Sequence, residues 1–256
     1  MTSDAASPAR IEAACDSAEI AALDVSMFDT RDHVNLILQR SEVLWDETRP
    51  GRAVRAWVNG DAAPLIAIAE RRGDDIARRT AAVAWLEWRD MLYALVRRKP
   101  GSIADIGCGY AMADLFAHRD LGARLVLIDI EEAEERHFGF AETGAAYTSL
   151  DRARAFLEAN GVPAQAIEAV NPQSQDLSKT ASVDLAMSML SCGFHYPAAT
   201  YSAFYVDGVA PGGAVVLDVR TRKAAQERAV LEAVGPVEEI GRGAAHLRLL
   251  ARKDAA

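Results

Sequence analysis

The run Asp105-Ile106-Gly107-Cys108-Gly109-Tyr110-Ala111 decides the fold. It follows a short apolar stretch, 102–106, and precedes a segment starting near Met112 with helical character, so it reads as the turn between a strand and a helix. Glycine at 107 and 109 lets the backbone bend sharply and approach a ligand where a Cβ would collide. The helix that follows offers N–H groups at its start. In a dinucleotide-binding loop this arrangement takes a pyrophosphate, and a third glycine completes G-x-G-x-x-G. Position 112 is methionine, which breaks that pattern, and a carboxylate at Asp105 would repel a pyrophosphate. The same carboxylate suits a cation carrying an ammonium and a sulfonium.

Downstream, short apolar runs alternate with helical stretches, the rhythm of βαβ units around a parallel sheet. The second strand is expected over 124–130, near-continuously apolar and so covered on both faces. An irregular stretch, 131–147, places His137, Phe138, Phe140 and Tyr147 among Gly139 and Gly144. Its length suggests a loop covering the acceptor, with a helix over 131–137 as the alternative. Thr148-Ser149-Leu150-Asp151 reads as a capping box opening a helix that ends at Asn160-Gly161. Strands follow at 166–170 and 183–188, and a helix at 201–209. The turn Pro211-Gly212-Gly213 precedes a strand at 214–219 and a helix at 223–234. Two terminal strands, 237–240 and 245–251, have so short a connection that they must run antiparallel.

Upstream, the first 20 or so residues are Ala-, Ser- and acid-rich and expected to fray. A short helix is expected over 34–45, stopped by Pro50-Gly51. A stronger one spans 75–96, where Ala81, Trp85, Trp88, Leu92 and Leu95 fall on one face. That face is expected to pack on the following domain, with a tryptophan-lined ligand site as the alternative; the first hundred residues could also offer a surface to a partner or a second copy in a homodimer. Pro100-Gly101 ends it, dividing a helical extension, 1–99, from an α/β domain, 100–256.

Two further acids stand where an adenosyl group would need them. Asp129 closes the second strand, 20 residues past Gly109, where doubly wound folds place an acceptor for ribose hydroxyls. A strand-end or capping aspartate is the plainer alternative. Asp176, beyond the third strand, could accept from an adenine amino group or cap a turn.

On these residues the stretch from 101 to 253 resembles the class I S-adenosylmethionine-dependent methyltransferases. The resemblance implies a Rossmann-like seven-stranded sheet with the last strand antiparallel, and S-adenosylmethionine as cofactor. It implies cofactor contacts from Asp105, Gly107, Cys108 and Gly109, from Asp129 with Ile130, from Asp176 with Leu177, and from Ser188 at the end of the fourth strand. Ala111 departs from the pattern, since many members carry a third glycine there. The family builds its reaction site after the fourth strand, here Met189 to Pro197. This loop lacks the Asn/Asp-Pro-Pro-aromatic signature of enzymes that methylate exocyclic amino groups of bases. Gly193-Phe194-His195-Tyr196-Pro197 is similar to a block in a bacterial group described as sugar O-methyltransferases.

Chemistry gives His195 a role, because a hydroxyl acceptor must lose a proton and an imidazole titrates near neutrality. A histidine that only shapes the pocket is the alternative. Tyr196 could line the acceptor pocket or hydrogen-bond to the acceptor. Cys192 has no evident partner for thiolate formation.

Bulk properties narrow the partners. The net charge of −9 argues against a phosphate backbone, and the arginines at 71, 72, 78 and 79 are interleaved with Asp74 and Asp75. No apolar run approaches the length of a membrane span, and no secretory signal opens the chain, so a cytoplasmic location and a small-molecule acceptor are expected. The three cysteines, Cys15, Cys108 and Cys192, show no paired spacing, and no two histidines show metal-ligand spacing, so no metal is expected. A non-catalytic binding or assembly protein on the same fold is the competing class.

Overall fold

Apolar runs that can be covered on both faces form the strands, and helices with one apolar face cover them. The computed structural model describes residues 7–95, 99–131 and 148–255. Among them β1 (Ser102–Ile106), β2 (Arg124–Ile128), β3 (Ile167–Val170), β4 (Val183–Ser188), β5 (Val209–Arg220), β6 (Val237–Arg242) and β7 (His246–Arg252) make one sheet. Its order is β3-β2-β1-β4-β5-β7-β6. β1 to β5 pair in parallel, while β7 runs antiparallel to both β5 and β6. This is the Rossmann-like class I methyltransferase sheet expected from the sequence.

Strand geometry divides the side chains between two cores. Ile103, Leu125, Leu127, Leu185, Met187 and Val216 face one side. There they meet α3 (Thr30–Gln39), α5 (Ala63–Leu95), α6 (Met112–Leu121) and α7 (Leu150–Ala159). Ala104, Ile106, Val126, Ile128 and Val215 face the other side, against α8 (Ala224–Leu231) and the 198–208 segment. The helices of the first hundred residues therefore share a core with the sheet. Trp88 is fully buried and its indole N–H donates to Asp120 at 2.8 Å, while Trp85 packs on Phe116. The tryptophan face is turned inward onto α6.

Several local expectations are corrected. The first 20 residues do not fray among those described: α1 (Pro8–Cys15) and α2 (Ala18–Ala21) bury Ile11 and Ile20 completely. Two isoleucines in a polar context were enough once α5 offered an apolar face. The helix expected at 34–45 starts earlier, because Asp29 and Asp32 form a reciprocal capping box at the start of α3, and it ends at Gln39 before a 3-10 turn. Pro50 does not stop a helix but opens α4 (Pro50–Val58), where a missing N–H costs nothing. α5 begins twelve residues before the expected 75 and is broken at Arg72 (φ −136°). There the His33 ring occupies the space a Cβ on Gly73 would need, and the Arg72 guanidinium binds Asp46, Glu47 and Asp75.

In the second half, β2 ends at Ile128, so Asp129 lies just beyond the strand, where it lines the cavity. The cap of α7 is Ser149 rather than Thr148, whose hydroxyl instead donates to the Gly109 carbonyl. Residues 201–209 form a 3-10 turn and a wide π turn rather than an α-helix, with the Phe204 ring lying against Gly208. β5 starts early at Val209, and its register shifts between Val183 and Leu185 of β4, so 210–213 bulge out of the strand. The reading of 131–147 as a covering loop falls, beyond Glu131, outside the described residues.

Candidate active site

The carboxyl ends of β1, β2 and β4 open into one cavity, lined by the glycine turn on one side and the loop after β4 on the other. Gly107 (φ +73°) and Gly109 (φ +58°) both occupy the left-handed region. A Cβ at 107 would collide with Ser191, and one at 109 would lie 3.1 Å from the Gln39 amide oxygen. Gly107 is thus required by conformation and by space, while at Gly109 the left-handed backbone favours glycine and a Cβ would press on the end of the Gln39 side chain. The turn is anchored from the N-terminal segment. The Tyr110 hydroxyl, fully buried, donates to Asp32 at 2.8 Å and accepts from the Asn35 amide at 3.0 Å.

Three carboxyls gather at this end. Asp105 lines the cavity and is 3% exposed, and Asp114, in the first turn of α6, is 0% exposed. Asp129 also lines the cavity and accepts from the backbone N–H of Gly109 and of Ile130, both at 2.8 Å. Burial is the largest cause of perturbation at all three. It pushes Asp129 and Asp114 up to about 7, and Asp105, which also faces Asp114, well above the carboxylate range. Among the described residues no arginine, lysine or histidine forms an ion pair with any of them. Burial likewise raises the Cys108 thiol far above its usual value, leaving it protonated beside the turn.

The opposite wall is a tight loop fixed to the sheet. Ser188 is buried; its hydroxyl donates to the Ile106 carbonyl at 2.6 Å and accepts from the Cys192 N–H at 2.8 Å. The Gly193 N–H donates to the Tyr196 carbonyl at 2.7 Å, and the His195 N–H to the Ser191 carbonyl at 2.8 Å. Arg220 holds Phe194 through its carbonyl and lies 4.2 Å over its ring. This places the His195 and Tyr196 side chains on the cavity. Burial drives the Tyr196 phenol far above its usual value, so it is a neutral donor and not a base at physiological pH.

The structure thus brings Asp105, Gly107, Cys108, Gly109, Asp129, His195 and Tyr196 to one cavity. It does not bring the others. Asp176 is exposed and accepts from the backbone N–H and hydroxyl of Ser178, the turn-capping alternative; these bonds lower its pKa. Leu177 is half-buried against the core that includes Ala104 and Val126, and Ser188 ties β4 to β1. Ile130 contributes its N–H to Asp129.

Sequence reasoning missed the N-terminal contribution: Leu38, Gln39, Arg40, Thr80 and Ala84 line the same cavity. Arg40 is held there by a two-point pair with Glu87 at 2.8 and 2.6 Å. No local pattern marks these residues, because their place depends on how α3 and α5 dock. Asp114 did carry a signal: an acid amid the apolar residues just after the glycine turn.

No family model and no curated relative matches the chain. Solved structures resemble it. An S-adenosylmethionine-dependent methyltransferase, SibL, in its apo form is 14% identical, with a TM-score of 0.47 over 71% of this chain and 58% of that one. The O-methyltransferase TomG from Streptomyces achromogenes, involved in tomaymycin synthesis and solved with its cofactor, is 19% identical, with a TM-score of 0.46 over 69% and 88%. A 16S rRNA N2 G1207 methyltransferase from T. thermophilus, with cofactor and guanosine, is 20% identical, with a TM-score of 0.45 over 66% and 43%. The chain thus spans less than two thirds of the first of these, and likeness at such scores speaks only of chain path. The strand order itself carries the conclusion that the fold is that of the class I S-adenosylmethionine-dependent methyltransferases.

Proposed function

We propose that this chain binds S-adenosylmethionine above the glycine turn and methylates an oxygen of a small hydroxylated molecule, a sugar-containing metabolite being the favoured class. The observation that carries this reading is a cluster of three carboxyls, the buried Asp105 and Asp114 and the half-buried Asp129, without a paired cation among the described residues, beside a turn whose Gly107 admits no Cβ. Burying unpaired carboxyls is costly, and a cationic ligand offsets that cost. The described cavity measures about 150 Å³. That is below the roughly 300–1,000 Å³ of typical small-molecule sites, so it fits the methionine end of the ligand and the adenosine would extend beyond it.

When bound, S-adenosylmethionine supplies a methyl group on a sulfonium, open to in-line displacement. Asp105 takes the ammonium. Asp129 already accepts two N–H bonds, and a carboxylate has about four lone-pair sites, so two remain for ribose hydroxyls. The Tyr196 phenol orients the acceptor oxygen, and His195 takes its proton as the new bond forms. No helix among the described residues is long and apolar enough to cross a membrane.

Calorimetry with S-adenosylmethionine and S-adenosylhomocysteine tests the cofactor, with saturable binding of both as the expected result. Product analysis across a panel of sugars and small phenols then tests the acceptor. Saturable binding without transfer to any hydroxyl would favour a binding protein on this fold. No binding of either ligand would remove the reading.

A further inference from the structure

Methyl transfer as described leaves one group unused. Asp114 is wholly buried behind the glycine turn, and its carboxyl faces that of Asp105. Apart from that contact, neither oxygen of Asp114 nor Oδ1 of Asp105 has a partner in the protein. Two carboxylates cannot donate to one another. A proton between them turns mutual repulsion into a hydrogen bond and satisfies an orphan on each side.

The charged and titratable surroundings do not supply an alternative partner. On the same edge of the sheet lie Asp129, with Glu131 beside it, and the Cys108 thiol of the glycine turn. From β5, Asp218 faces Asp105 but is paired with Arg248 of β7 at 2.7 Å, with His246 at 3.8 Å. From the N-terminal helices come Arg40 and Glu87, paired with each other. His195 and Tyr196 line the opposite wall.

We propose that Asp105 and Asp114 retain a proton between them in the unliganded protein, and that an ammonium arriving at Asp105 expels a proton from the pair, so that ligand binding and proton release are one event. This rests on the reading of the cavity as an S-adenosylmethionine site. Asp114 is then a positioning residue acting through Asp105. The balance is simple: the protonated pair and a ligand ammonium give an ammonium–carboxylate pair and a proton delivered to solvent. A bound cation favours the deprotonated pair, so affinity rises with pH. Binding therefore strengthens as pH rises, toward tenfold per pH unit, through the range in which the pair gives up its proton.

The test compares two ligands by calorimetry at pH 7 in buffers of different ionisation enthalpy. S-adenosylhomocysteine carries the ammonium; 5′-methylthioadenosine keeps the adenosine and sulfur but lacks it. Release seen with the second ligand reports Asp129 at the ribose. The expected result is a larger release with S-adenosylhomocysteine than with 5′-methylthioadenosine. In Asp114→Asn the amide donates to Asp105 and fixes it as a carboxylate. There the excess release vanishes, and at pH 6 S-adenosylhomocysteine binds several-fold more tightly than to the native protein. Equal release for the two ligands in the native protein overturns the proposal while leaving the cofactor site intact, and needs no variant. Absence of S-adenosylhomocysteine binding overturns the site and the proposal together.

Discussion

Single residues carry the chemistry, and most of them stand in a local pattern. Asp105, Gly107, Gly109 and Asp129 were legible as one cluster because a tight turn at a strand end favours glycine and the acids stand at adjoining strand ends. Asp129→Ala removes the proposed ribose acceptor and orphans the Gly109 N–H. We expect S-adenosylmethionine affinity to fall at least about tenfold, the equivalent of one lost hydrogen bond to a charged group; unchanged affinity by calorimetry would take ribose recognition away from this residue. His195→Ala is expected to lose about a hundredfold or more in turnover with nearly native cofactor binding, as removal of a general base should. Retained turnover would leave His195 as scaffold. Asp176 shows where residue-scale reading ends. An aspartate after a strand has the same letters whether it meets a ligand or caps a turn, and here it caps a turn. Ala111 holds a left-handed φ of +57° at the start of α6, where related folds carry glycine. That conformation costs a non-glycine residue about 1–2 kcal/mol. Ala111→Gly should therefore leave the urea midpoint nearly unchanged, whereas Ala113→Gly in the same helix should lower stability by about 1 kcal/mol.

At the scale of elements, the strands were readable and the N-terminal helices were not. β1, β2 and β4 announce themselves as apolar runs between turn residues. α1 and α2 depend on two isoleucines whose burial is decided by α5, more than forty residues away. Pro50 was misread for a related reason: proline ends one helix or opens the next, and only the docked path of α4 shows which. α3 matters most to the site, because its Asp32 and Asn35 hold the Tyr110 hydroxyl and so fix the glycine turn. Tyr110→Phe leaves both partners buried without it, at a cost of about 1–3 kcal/mol in urea unfolding. It should also weaken S-adenosylmethionine binding. Unaltered binding would mean that the turn holds its shape without α3.

For the molecule as a whole, a buried charge network joins the two halves of the chain. Arg40 pairs with Glu87, and Arg248 pairs with Asp218 and also reaches the Glu87 carbonyl at 3.2 Å. Arg248→Met would leave the fully buried Asp218 carboxylate unpaired, and we expect a loss of about 3–5 kcal/mol in urea, partly recovered by Arg248→Met with Asp218→Leu. A loss below about 1 kcal/mol would show that the network adds little. The cavity acids give stability a pH dependence of their own. Asp114 and Asp129 have folded-state values of about 7, above those of the unfolded chain. They bind more protons when folded, so the stability they lend is present at low pH and is lost as pH rises toward and through about 7. His33, whose value burial lowers, works in the opposite sense, but as one group against two. The urea midpoint of the ligand-free protein should accordingly be lower at pH 8 than at pH 6, and a rise over that interval would contradict the burial of these acids.

The cavity has two owners. The glycine turn and its acids come from the strand-and-helix half, while Leu38, Gln39, Arg40, Thr80 and Ala84 come from the helices ahead of it. A shorter version beginning at Gly101 would not be a minimal catalyst but a sheet stripped of its apolar cladding and a vessel missing one side. Conversely, Gln39 abuts Gly109 while Asp32 and Asn35 hold Tyr110, so the helical half moulds the bend itself as well as the facing wall.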